Sequence, residues 1–249
     1  MKVGWIDFLN TIPFKEAING NSPYTVIKDV PAKLNKYISE GRIDIGIISS
    51  AEYIENFHEY LILPNLSISS YGKVNSVVLV SHYKIDDINS VVLSKQSKTS
   101  NYLVQILFNS FLRKRVVFSE KEENQKNIGY VLIGDKALLQ KDKYPFVYDL
   151  SEIWYKYTKT PFVFALWCVR KDFYYKNKNI VLDFYEKLLK SKEKFFLSRN
   201  SIPENVNNYL KNLDFSLKEE HISGLKLFAE YMQKNQIIKC FPEFNFIEP

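Results

Sequence analysis

Gly4-Trp5-Ile6-Asp7-Phe8-Leu9-Asn10-Thr11-Ile12-Pro13-Phe14 carries a strand directly into a helix. The apolar run from Val3 to Leu9 predicts a first strand. Asn10 and Thr11 are good helix caps, and Pro13 falls in the first turn that follows, where its missing N–H costs nothing. A strand that ends in a capped helix leaves backbone N–H groups free at its carboxyl end, which is a ready anion site. One such turn is ordinary. The chain repeats it several times.

Tyr24 to Lys28 predicts a second strand. Pro31 opens a helix with Leu34, Tyr37 and Ile38 on one face, ended by Gly41. Ile43 to Ile48 is apolar almost throughout, as buried parallel strands are. Ser49-Ser50-Ala51-Glu52 then starts a helix, with Ser49 and Glu52 at capping-box spacing. Strand, helix, strand, helix is the signature of an α/β domain with a parallel sheet.

The pattern changes between Leu61 and Ser81, where alternating and continuous apolar runs flank a Tyr71-Gly72-Lys73 turn. This stretch is expected to cross from a first lobe to a second. Further strands are expected at 91–93, 116–118, 128–133 and 146–148. Ser97 to Ser100 lead into a helix reaching Arg113, and Gly134-Asp135 open another. Trp154 lies on a helix at 149–157. The longest apolar run, Pro161 to Arg170, is expected to return the chain to the first lobe, with helices near 172–196, 203–212 and 217–235 packing on it. The lobes are thus expected at 1–80 with 170–249, and at 81–169. Two α/β lobes joined by two crossings make a clamp with a ligand cleft between them. The turns at Asn10-Thr11, Ser49-Ser50, Ser97 to Ser100 and Gly134-Asp135 are all expected to face that cleft. Each helix start offers partial positive charge and unpaired N–H donors, which suits a small ligand with more than one carboxylate.

At 249 residues, 46% hydrophobic and 25% charged, the chain has an ordinary globular composition. The net charge of +6 is spread out, and the densest basic stretch, Lys171 to Arg199, alternates with acids. That describes a solvated helix face, not a nucleic-acid groove, so no nucleic-acid partner is expected. No apolar run approaches the ~20 residues that span a bilayer, and the start does not resemble a signal peptide, so a cytoplasmic protein is expected. Cys168 lies in an apolar strand and is expected in the core. There is no GxGxxG, GxxxxGK[ST], HExxH or CxxC motif, and His58, His82 and His221 fall in none. Glu55 and Glu59 around His58 fit a polar helix face better than a metal cluster. No metal or cofactor is expected.

Several segments resemble the MqnA family, the chorismate dehydratases of the futalosine route to menaquinone. They are Gly4 to Pro13, Gly41 to Asp44 running into Ser49 to Tyr53, and Tyr71 to Val77. Ser97 to Ser100, Ile133 to Leu138 and Pro161 to Trp167 complete the set, in order over nearly the whole chain. Phe8 stands where Tyr is usual, and Lys98 interrupts a more neutral run. The resemblance implies a two-lobed fold similar to type II periplasmic binding proteins. It also implies loss of water from chorismate to give 3-[(1-carboxyvinyl)oxy]benzoate, without a cofactor. On that basis Asn10 is expected at the reacting region, with Ser76 assisting the leaving hydroxyl. Ser97, Thr99 and Ser100 are expected to hold a carboxylate, with Thr11, Ser49, Ser50, Gly134 and Asp135 as further substrate contacts. The substrate's own side-chain carboxylate is the candidate base. The alternatives are a solute-binding protein for a small carboxylate, the related 1,4-dihydroxy-6-naphthoate synthase of the same pathway, and a ligand-sensing regulatory domain.

Overall fold

β1 (Lys2–Trp5), β2 (Thr25–Lys28) and β3 (Ile45–Ser49) form a parallel set with β1 in the middle, as the alternating strand and helix pattern requires. The computed structural model describes residues 1–19, 23–122, 126–198 and 202–248. β4 (Tyr60–Ser70) and β10 (Phe162–Arg170) complete a first sheet in the order β2-β1-β3-β10-β4. β10 runs antiparallel to both β3 and β4 because it re-enters from the other sheet. The second sheet has the order β7-β6-β8-β5-β9, built from β5 (Val77–Ser81), β6 (Ser90–Val92), β7 (Val117–Ser119), β8 (Ile128–Ile133) and β9 (Phe146–Asp149). The fold is therefore mixed α/β with two sheets.

Pairing moves the expected lobe boundaries. β5 bonds along its length to β8 and β9, so residues 77–80 belong with the second sheet, although they were expected in the first lobe. β10 bonds to the first sheet, so 162–169 leave the second lobe. We place the crossings at 71–76 and 159–161. Left-handed backbone marks both: Gly72 at φ 104° and Asn75 at φ 66° on one, Lys159 at φ 59° on the other.

The helices are α1 (Pro31–Ser39), α2 (Ser50–Glu55), α3 (Lys98–Ile106), α4 (Gly134–Gln140) and α5 (Leu150–Thr158). After β10 come α6 (Lys171–Lys176), α7 (Lys178–Leu197), α8 (Glu204–Leu210) and α9 (Glu219–Lys234). Two expectations shift here. β1 stops at Trp5, and Leu9–Ile18 is a 3-10 segment whose cap position is Phe8, not Asn10 or Thr11. The cause is Thr11: its hydroxyl lies 2.7 Å from the Ile6 carbonyl and 2.8 Å from that of Phe8, which ends the strand early. The helix expected to reach Arg113 loosens to a π-helical turn at Leu107–Leu112 before the left-handed Arg113.

α7 fastens the 3-10 segment from outside. Ser191 Oγ donates to the Pro13 carbonyl at 2.9 Å and accepts the Glu16 N–H at 3.1 Å. Beneath it, Phe14 packs edge-on against Trp167 and Phe215, and Trp167 meets Trp5 and Phe184. Cys168 is fully buried beside them, and burial pushes its thiol well up, as expected of a core residue. No helix among the described residues is long and apolar enough to cross a membrane.

His221 completes a capping box for α9, its Nδ1 accepting the Lys218 N–H at 3.2 Å. Burial holds its pKa below the ordinary value, although Asp214 and Glu220 pull the other way. A histidine that resists protonation when folded contributes stability above pH ~6.5 that is lost as pH falls through that value. His221→Gln keeps a capping residue at the same position and removes the titration. Its denaturation midpoint should therefore fall less than the parent's between pH 7.5 and 5.5. Equal falls would show that His221 does not contribute.

Candidate active site

Between the sheets, beside the first crossing, lies a cavity of about 70 Å³. Asn10, Ser49, Ser76, Ser97, Thr99, Ser100 and Gly134 line it, among apolar walls that include Phe8, Ile68 and Phe164. Seven of the ten expected site residues thus meet at one place, drawn from both sheets. The lining contains no Asp, Glu, Lys, Arg, His, Cys or Tyr among the described residues.

The other three stand apart from the lining. Thr11 is turned back on the carbonyls of Ile6 and Phe8, just beyond the end of β1. Ser50 Oγ donates 2.7 Å to the Val163 carbonyl and ties α2 to β10. Asp135 accepts the Leu9 N–H at the rim, and burial raises its pKa despite that bond.

The expected free helix-start N–H groups are mostly satisfied within the protein. Ala51 N–H donates to Thr99 Oγ1 at 2.9 Å, Glu52 N–H to Ser49 Oγ at 3.3 Å, and Ser100 N–H to Ser97 Oγ at 3.1 Å. Gly134 N–H donates to the Ser76 carbonyl at 2.8 Å. Gly134 itself needs φ +58°, and an added Cβ would sit 3.1 Å from the Phe8 ring.

This wiring leaves hydroxyl protons for a ligand. Ser49 Oγ already accepts from Glu52 N–H and, at 2.9 Å, from Asn35 Nδ2, so its own O–H is free to donate. Thr99 Oγ1 accepts from Ala51 and is in the same position. Ser97 donates to Ser100 Oγ at 2.9 Å, which passes the free proton to Ser100. Asn10 supplies the complement: its Oδ1 is shielded from water and has no partner. A buried acceptor without a donor costs about 1–3 kcal/mol, a deficit that a ligand donor would relieve.

Supporting residues surround these. Asn35 fixes Ser49 from both ends, its Oδ1 also accepting the Ser49 N–H at 3.1 Å. Asp149 holds the first crossing through the N–H groups of Val74 at 3.0 Å and Asn75 at 2.6 Å, while capping α5. Lys98 points away from the cavity. It meets Glu52 at 3.0 Å and Glu55 at 2.6 Å, and Tyr102 also donates to Glu55. Glu55 is thus an ion-pair partner across the two lobes, and no group of metal-ligating side chains occurs among the described residues.

Two sheets with a cavity between them define a two-lobed, periplasmic-binding-protein-like fold. Solved structures agree at the level of fold. A protein of Archaeoglobus fulgidus superposes with a TM-score of 0.69 at 14% identity, covering 95% of this chain and 98% of its own. The periplasmic aliphatic sulphonate binding protein of Escherichia coli gives 0.64 at 12% identity, covering 98% and 95%. Within that fold the chain belongs to the menaquinone biosynthesis family, whose model matches residues 1–234. A chorismate dehydratase of Campylobacter jejuni is 32% identical over 231 residues, 88% of this chain and 85% of that protein. A chorismate dehydratase of Thermus thermophilus is 27% identical over 241 residues, 83% and 86% of the two.

Proposed function

We propose that this chain is a chorismate dehydratase, a carbon–oxygen hydro-lyase that gives 3-[(1-carboxyvinyl)oxy]benzoate. Two relatives carry that name. The observation that carries the reading to the site is the unpartnered Asn10 Oδ1 beside free hydroxyl donors in a cavity without an ionisable lining. Chorismate is a ring bearing two carboxylates and a hydroxyl, so it brings acceptors for O–H donors and a donor for Asn10. In this reading Ser49, Thr99 and Ser100 receive a carboxylate at the start of α3, whose first turn carries partial positive charge. Asn10 orients the ring at the reacting edge.

The reaction breaks a ring C–H bond and the adjacent C–OH bond, and the freed electron pair completes an aromatic ring. Aromatisation supplies driving force, so the site has chiefly to position the substrate and stabilise the departing oxygen. With no basic side chain in the lining, the proton goes to a group the substrate carries, its side-chain carboxylate. Apolar walls keep water from that transfer.

Purified protein mixed with chorismate should form the dehydrated aromatic product, seen by chromatography and mass. Turnover should proceed without added metal, nucleotide or redox partner and should survive a chelator. Loss of all turnover on chelation would overturn the cofactor-free assignment, and unchanged chorismate would overturn the function.

A further inference from the structure

Ser76 and Tyr209 lie 133 residues apart in sequence, yet their side-chain oxygens are 3.0 Å apart. Both residues are buried, at 3% and 7% exposure. Tyr209 comes from α8, which packs beside the 3-10 segment that carries Asn10. Ser76 lines the cavity; Tyr209 does not.

A phenol has one proton to give. Among the described residues, Ser76 Oγ is the acceptor that Tyr209 reaches, and Tyr209 is the partner that Ser76 Oγ has. If Ser76 donated, the phenolic proton would be buried without an acceptor, the expensive arrangement. Tyr209 therefore donates, and the serine proton is left to turn into the cavity. Burial pushes Tyr209 up to about 12, so the phenol keeps this proton at any working pH. A hydroxyl that accepts such a bond is polarised and donates more strongly in turn.

We propose that Tyr209 is a positioning residue of the active site, which donates to Ser76 Oγ and so aims the serine proton at the oxygen leaving the ring. The inference rests on the dehydratase reading. In the elimination the C–O electrons leave with the hydroxyl oxygen, the C–H electrons form the new ring bond, and the ring proton passes to the substrate carboxylate. The departing hydroxide and that proton together make the water lost. Ser76 stabilises the oxygen by a hydrogen bond and needs to transfer no proton of its own.

The test is a double-mutant cycle on chorismate turnover with Tyr209→Phe and Ser76→Ala, each of which deletes one oxygen. Tyr209→Phe should lower kcat roughly fivefold with KM nearly unchanged, the scale of one lost hydrogen bond. Ser76→Ala should lower kcat roughly 20-fold, and adding Tyr209→Phe to it should cause no further loss. A merely structural tyrosine would lower the unfolding temperature and act equally in both backgrounds. Parent-like kcat in Tyr209→Phe, a loss confined to KM, or an undiminished fivefold loss on top of Ser76→Ala would each overturn the role. Parent protein that leaves chorismate untouched overturns the function and this inference with it. Turnover with additive losses overturns the inference alone.

Discussion

Asn10→Ala is expected to slow the dehydration of chorismate by roughly 10²-fold or more, the scale of an oriented polar group lost from a reacting centre. Its Oδ1 is closed off from water and unpartnered without substrate, so the side chain is a liability to the ligand-free fold. Removing it should leave the unfolding temperature unchanged or raise it. The neighbouring Thr11 should behave the opposite way. Its hydroxyl bonds to the carbonyls of Ile6 and Phe8, so Thr11→Ala should lower stability by about 1 kcal/mol and touch the rate less. Rate constants and thermal melts on the two variants separate these roles. Near-parent turnover in Asn10→Ala would return that residue to the scaffold.

Asn10 and Thr11 also show what the sequence makes legible. Both types suit a strand-to-helix turn, and the turn is there, but composition cannot say which of two adjacent polar side chains faces inward. Geometry decides: the 3-10 segment leaves Asn10 at the cavity and folds Thr11 back on the Ile6 and Phe8 carbonyls. Ser49 and Ser50 repeat the lesson, one lining the cavity and one bonded to Val163. The parallel strands were readable because β3 is apolar at nearly every position and α1 opens on Pro31. The lobe boundaries were not, because β5 and β10 are apolar strands whatever sheet they join, and only pairing assigns them. Asp149 is readable as the cap of α5, but its hold on Val74 and Asn75 spans some 75 residues. Tyr209 carries no local signal at all. Lys98, which looked misplaced in a run of serines and threonines, turns its ammonium out of the cavity toward two carboxylates.

Lys98→Met should therefore raise KM for chorismate roughly 10-fold while lowering kcat much less. The ammonium reaches from α3 in the second lobe to Glu52 and Glu55 on α2 in the first, beside the Thr99 bond to Ala51 N–H. Burial alone would lower its pKa, but the two carboxylates outweigh that and the net shift is upward, so it is charged. Removing one partner of a fully buried pair costs 3–5 kcal/mol; here the Glu52 side chain is 5% exposed but that of Lys98 is 34%, and about 2 kcal/mol is appropriate. The interaction exists only where α2 and α3 touch, so the loss falls on the closed form and shifts the population toward an open one. A ligand must then supply the closing free energy; 2 kcal/mol is about a 30-fold shift in the open–closed equilibrium, of which roughly 10-fold reaches the apparent affinity when the ligand-free parent is about two-thirds closed. Once closed, the lining is intact, which is why kcat is spared. Solution scattering should show a larger radius of gyration for the ligand-free variant than for the parent, returning to the parent value at saturating substrate. An unchanged radius together with parent KM would mean that the ion pair does not hold the lobes together, and that closure rests on the apolar contacts between them.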